Sequence, residues 1–179
     1  MSDDAEKPRK RRSLGGWKFI VAIVLILAYS ASAAYGIMSD TSIRGLTVKM
    51  FNVSRYCTTN QPTGGLIAPN YDGLSYFVRG SIWSTSSLQT SLSHMTFTLS
   101  VDGLVIGTGS QSDASFGAGQ SVAFDLTFTH PTLNPTILPS SSALVLTLDA
   151  TVAAGLYSAT EAASDNTLQT FTRTGCYSF

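Results

Sequence analysis

Twenty consecutive residues, Phe19–Met38, carry no charge, and most of them are apolar. As a helix they rise about 30 Å, the thickness of a bilayer's hydrocarbon core. Six basic residues (Lys7, Arg9, Lys10, Arg11, Arg12 and Lys18) precede the stretch, against Asp3, Asp4 and Glu6. Positive charge of this kind is retained on the cytoplasmic side, so the N-terminus stays in and the body is sent across. Trp17 and Tyr35, near the two ends, suit the interfacial zones. The sequence therefore divides into a basic cytoplasmic tail (1–18), a transmembrane helix (19–38), a short tether (39–42) and an extracytoplasmic body (43–179). Four extended tether residues reach roughly 14 Å, which keeps the body close to the membrane surface.

The same stretch supports a second reading. Phe19–Leu27 is short enough for the apolar core of a signal peptide, and Ala31-Ser32-Ala33 has the form of a signal peptidase site. In an uncleaved anchor those small residues serve otherwise: Ala28, Ser32 and Gly36 fall at i, i+4 and i+8, one face on which two helices approach closely. Both readings export the body.

Beyond Met38 the pattern changes to period two, the signature of strands. Leu46, Val48 and Met50 alternate with polar residues, as do Leu74, Tyr76, Val78 and Ile82, and Met95, Phe97, Leu99 and Val101. Val122, Phe124, Leu126 and Phe128 follow, then Leu144, Leu146, Leu148 and Val152. One apolar and one polar row per strand belong to antiparallel sheets with one wet face. Asp102-Gly103 between two such runs reads as a two-residue hairpin turn. Gly117-Ala118-Gly119 opens the next strand. Pro131, Pro135 and Pro139 exclude a helix over 131–142. Cys57–Gly73 reads as a long loop, and Ala153–Ala163 as at most a short turn. The expected fold is all-β: an antiparallel β-sandwich of about seven strands, Ig-like in architecture, behind one transmembrane helix.

Three stretches carry a family resemblance: Gly80-Ser-Ile-Trp-Ser-Thr-Ser86, Phe97-Thr-Leu-Ser-Val-Asp-Gly-Leu-Val-Ile-Gly-Thr-Gly109, and Gly117-Ala-Gly-Gln-Ser-Val-Ala-Phe-Asp-Leu-Thr-Phe128. Strand, polar corner, a Val-Asp-Gly turn, Ile-Gly-Thr-Gly and a glycine-rich entry to an alternating strand resemble the type 2 late-embryogenesis-abundant (LEA-2) domain, also called the water-stress and hypersensitive-response domain. The resemblance implies a β-sandwich concerned with stress protection, defence signalling or lipid handling, with no catalytic residues.

The remaining candidates are few. Cys57 and Cys176 are the only cysteines. In an oxidising compartment they are expected to pair, closing a loop of about 120 residues for at most about 5 kcal/mol. Asn52-Val53-Ser54 is an N-glycosylation sequon, usable provided Asn52 does not face the core. Asn134-Pro135-Thr136 is barred by its proline. His94 and His130 are the only histidines, and no Gly-x-Ser-x-Gly elbow accompanies them. Gly107-Thr108-Gly109 lacks the third glycine of a dinucleotide fingerprint and the lysine of a P-loop, and reads as the end of a hairpin strand.

Composition narrows the function. Of 179 residues 12% are charged and 44% hydrophobic, with a formal net charge of zero, which excludes a disordered polyelectrolyte and a nucleic-acid binder. The expectation is a non-enzymatic, cofactor-free, membrane-anchored protein. It displays a sandwich for envelope or stress-related binding, with membrane lipid as partner and self-association through the helix or strand edges. The alternative is a secreted filament or surface-layer subunit, cleaved near Ala33, whose segment Ala34–Phe51 donates a strand to a neighbour.

Overall fold

The structure is a computed structural model and describes residues 14–59, 71–85, 87–130 and 139–171. The chain divides into two units, Met1–Ile37 and Met38–Phe179. The first contains most of helix α1 (Leu14–Arg44). The second contains the end of that helix and eight strands: β1 (Leu46–Thr59), β2 (Tyr71–Ser84), β3 (Thr90–Val101), β4 (Leu104–Gln111), β5 (Ala114–Phe116), β6 (Ser121–His130), β7 (Ser141–Ala154) and β8 (Tyr157–Thr170).

The strands form an antiparallel sandwich of two sheets. One has the order β1-β2-β6; the other has the order β4-β3-β7-β8, with the short β5 continuing the β4 edge alongside β3. The inner faces meet in a single core built from the apolar rows read in the sequence. Tyr76, Ile82, Phe124 and Phe128 come from the three-stranded sheet; Phe97, Leu99, Leu144, Leu146 and Leu148 come from the five-stranded one. Phe97 and Phe124 meet across the sheets with ring centroids 4.8 Å apart. The Phe124 ring also lies against Gly80, its ladder partner, where an added Cβ would overlap both the ring and the Lys49 carbonyl oxygen.

Turn chemistry follows its residues. Asp102 and Gly103 both have positive φ (50° and 83°), the geometry that a two-residue type I′ hairpin demands. The Asp102 carboxylate also accepts the Ala143 N–H at 2.8 Å, tying the turn to the start of β7. β7 and β8 are joined by Gly155-Leu156, with Gly155 at φ 64°.

Four expectations change. Residues 39–42, read as an extended tether, are helical: α1 continues to Arg44, and Ser39, Ser42 and Ile43 are buried in the second unit. Ser84 Oγ donates to the Ser42 carbonyl at 2.8 Å, and the Gly45 N–H closes the helix on Thr41 O at 3.0 Å, so the helix end is stitched to the end of β2. Residues 157–163, read as part of a turn, begin the fourteen-residue β8. Gly107 and Gly109 lie inside β4, not at its end, facing β6. Cys57 lies within β1, which runs two residues further than the loop boundary read from the sequence; residues 60–70 and 131–138 lie outside the described residues.

The ladders carry several register shifts, and two of them change the phase of β1 and β3. Between Met50 and Asn52 the β1–β2 register slips by one residue at Phe51; between Ser93 and Thr96 the β3–β7 register slips at His94, whose φ is 52°. Each bulge inverts which residues face the core.

Candidate functional site

The feature with the clearest physical consequence is α1. Residues Gly16–Arg44 include an eighteen-residue window of mean hydropathy 2.1, and none of that window is buried. Trp17, Phe19, Ile20, Val24, Leu25, Ile26 and Leu27 are all exposed. Two serine hydroxyls within it are satisfied internally: Ser30 Oγ donates to Ile26 O at 2.6 Å and Ser32 Oγ to Ala28 O at 2.8 Å. Back-bonding of this kind lets serine sit in a helix surrounded by hydrocarbon without an unpaired donor. Ala28, Ser32 and Gly36 lie along this helix, the first two exposed.

In the β-domain, side chains bridge the two gaps between the sheets, and no ladder crosses them among the described residues. On one side the Met50 N–H, beside the Phe51 bulge, donates to Asp165 Oδ2 at 2.8 Å, linking β1 to β8. On the other, Gln111 Nε2 donates to the Ala123 carbonyl at 3.2 Å, linking β4 to β6. Gly107 and Gly109 leave room there for Leu126 and Phe128. Charged side chains pointing inward along an edge strand, as Asp165 does in β8, discourage edge-to-edge pairing.

A third cluster gathers near the end of the described chain. The Arg55 guanidinium lies 4.2 Å over the Phe171 ring and donates to Pro139 O at 3.0 Å. Phe171 meets Tyr76 edge-on at 6.1 Å, and its N–H donates to Ser140 O at 2.7 Å. Burial pushes the Tyr76 phenol up from its ordinary value, and the nearby Arg55, hydrogen-bonded to it, opposes that rise. On the wet face of the three-stranded sheet Arg79 grips Asp125 with two hydrogen bonds of 2.8 and 3.2 Å, which holds the guanidinium above its usual range.

The residues singled out in the sequence do not converge on one site. Asn52 is exposed on β1. Cys57 is half-buried on the same strand, and Cys176 lies outside the described residues. His94 is exposed on β3 and His130 ends β6, on the other sheet. Among the described residues no group of three or more His, Cys, Asp or Glu side chains is placed to hold a metal ion. Asp165 and Phe171 carried no sequence signal, because their roles depend on strands far away in the chain.

Fold and helix define a class: an antiparallel β-sandwich domain preceded by an apolar helix long enough to cross a membrane. No family model matches the chain, and no curated protein does, so the LEA-2 resemblance rests on the residue pattern alone. Among solved structures, it is similar to a protein from Archaeoglobus fulgidus (8% identity, covering 70% of this chain and 99% of that one, TM-score 0.37). It is also similar to a Bordetella pertussis protein described as ApaA (11% identity, covering 74% and 99%, TM-score 0.42).

Proposed function

We propose that the chain is a single-pass membrane protein, N-terminus cytoplasmic, that displays a LEA-2-like β-sandwich outside the cytoplasm as a non-enzymatic binding module for the envelope or for stress protection. The observation that carries this reading is the wholly uncovered apolar surface of α1. A surface of that size exposed to water costs far more than scattered apolar side chains do, and a bilayer covers it. Membrane lipid is thus the first partner. An acyl chain lodged between the sheets would have to displace Phe97, Phe124 and Phe128, which already fill that space.

The rival reading, a secreted subunit donating Ala34–Phe51 as a strand, fits less well. Residues 34–44 are helical, and residues 46–50 already pair with β2. The non-enzymatic reading draws on the scatter of the histidines and on the structural work done by Asp102, Asp125 and Asp165.

An exported body also suits a Cys57–Cys176 disulfide. The chain has these two cysteines alone, and an oxidising compartment favours their pairing. Alkaline carbonate extraction of cell membranes, combined with protease treatment of sealed vesicles, tests the whole proposal. A full-length chain that stays in the pellet with its body shielded inside vesicles of secretory orientation supports it. Release into the supernatant as a shortened chain beginning at Ala34 supports the secreted subunit instead.

A further inference from the structure

We propose that Asn52 is the acceptor of an N-linked glycan on the outer face of the three-stranded sheet; this rests on the exported placement of the body argued above. Simple alternation from Leu46, Val48 and Met50 would turn Asn52 toward the core, where a sugar has no room. The register says otherwise. Met50 pairs with Gly80 and Asn52 with Arg79, so Phe51 is an extra residue opposite a single step of β2. From that bulge onward the phase of β1 is inverted: Val53 is buried, while Asn52 and Ser54 are exposed. The bulge therefore re-aims the sequon, bringing the amide that would carry the sugar and the hydroxyl that completes the acceptor triplet to the same wet face.

The surroundings suit a carbohydrate. β1 ends its sheet, so a chain leaving Asn52 has a laddered neighbouring strand on one side only. On that side Arg79 lies directly opposite Asn52 and is paired with Asp125, while the half-buried Phe77 lies opposite Ser54. An ion pair offers donors and acceptors to sugar hydroxyls, and an aromatic side chain offers a face to sugar C–H groups. A glycan there also bars another strand from adding to the β1 edge.

The transfer is balanced without a redox partner. The co-substrate is a lipid-diphosphate-linked oligosaccharide, delivered by the oligosaccharyltransferase of the export compartment. The Asn52 amide nitrogen forms the bond to the anomeric carbon, the bond from that carbon to the diphosphate oxygen breaks, and the lipid diphosphate departs. The amide gives up one proton to the transferase.

The test translates the full chain in the presence of glycosylation-competent microsomes and reads mobility before and after an N-glycan-removing amidase. Three chains are compared: the natural one, Asn52→Gln, and Asp113→Asn, which creates a sequon with Ser115 at an exposed site between β4 and β5. The expected result is one amidase-sensitive glycan on the natural chain, none on Asn52→Gln, and two on Asp113→Asn. The glycosylated natural chain should also resist protease as well as Asn52→Gln does. One glycan on Asp113→Asn with none on the natural chain overturns the proposal and leaves export standing. No glycan on any chain overturns both this proposal and the export reading. A glycosylated natural chain digested much faster than Asn52→Gln also overturns it, since it would place Asn52 against the core.

Discussion

Replacing Gly80 by alanine and, separately, Gly109 by alanine makes the same chemical change at two inward-facing strand positions, with opposite expected outcomes. At Gly80 the new methyl overlaps the Phe124 ring and the Lys49 carbonyl oxygen. Neither can yield. The ring packs against Phe97, centroid to centroid 4.8 Å, and the carbonyl belongs to a backbone already fixed by pairing with β2. Forcing a methyl into a filled core costs about 1–3 kcal/mol. The reduced freedom of the unfolded chain returns only about 0.4–1 kcal/mol of that. Taking the middle of each range, the net loss is about 1 kcal/mol. At Gly109 the nearest atoms to the added carbon, in Leu126 and Phe128, stand at 3.5 Å, an ordinary contact, and the backbone there has no positive φ. The chain-entropy term is uncompensated and the methyl gains burial, so Gly109→Ala is expected to stabilise by about 0.5–1 kcal/mol. Urea unfolding of the full chain in detergent micelles, followed by near-ultraviolet circular dichroism, reads both. With a slope of about 1–3 kcal/mol per molar urea the midpoints separate by roughly 1 M, Gly80→Ala below the natural chain and Gly109→Ala above it. Equal midpoints, or a Gly109→Ala midpoint below that of Gly80→Ala, would refute the assigned packing of Phe124 and Phe128.

Three further outcomes are expected. Asp165→Ala leaves the partly buried Met50 N–H without its acceptor and costs about 1–3 kcal/mol in the same unfolding assay, while Asp165→Asn, which keeps an acceptor oxygen, loses less. Tyr76 has its phenol raised by burial above the ordinary value of 10.0. The unfolded chain therefore ionises first, so stability is retained below pH about 10 and falls as pH rises past it; Tyr76→Phe flattens that alkaline decline, measured as urea midpoint against pH. Cys57→Ser opens the proposed closed loop and lowers stability by up to about 5 kcal/mol, and the natural chain should take up no alkylating reagent until it is reduced.

How much of this architecture can be read from the chain depends on where the apolar rows keep their phase. β2, β6 and β7 alternate without interruption against a filled core, and their inward residues are the ones that the sequence offers. β1 and β3 each contain a bulge. Leu46, Val48 and Met50 belong to one phase and Val53 to the other; Leu92 belongs to one phase and Met95 to the other. A period-two reading that starts on either side of Phe51 or His94 gives a correct row and then loses it. β8 is harder still. The row that pairs with the core-facing residues of β7, from Ser142 to Val152, consists of Ala159, Glu161, Ala163, Asp165, Thr167 and Gln169, so there is no row of large apolar residues to detect. Its place is set by β7 and by the Asp165 bond to Met50, both far away in the chain. The helix presents the reverse case. Its apolar stretch announces itself, but its last turn does not, because Ser39 and Ser42 look like a polar tether although both are buried and the Ser42 carbonyl accepts from Ser84 at the end of β2. Phe51 joins both aspects. The residue that defeats the alternation also places Asn52 in solvent, so the local departure from pattern decides whether the sequon can carry a sugar.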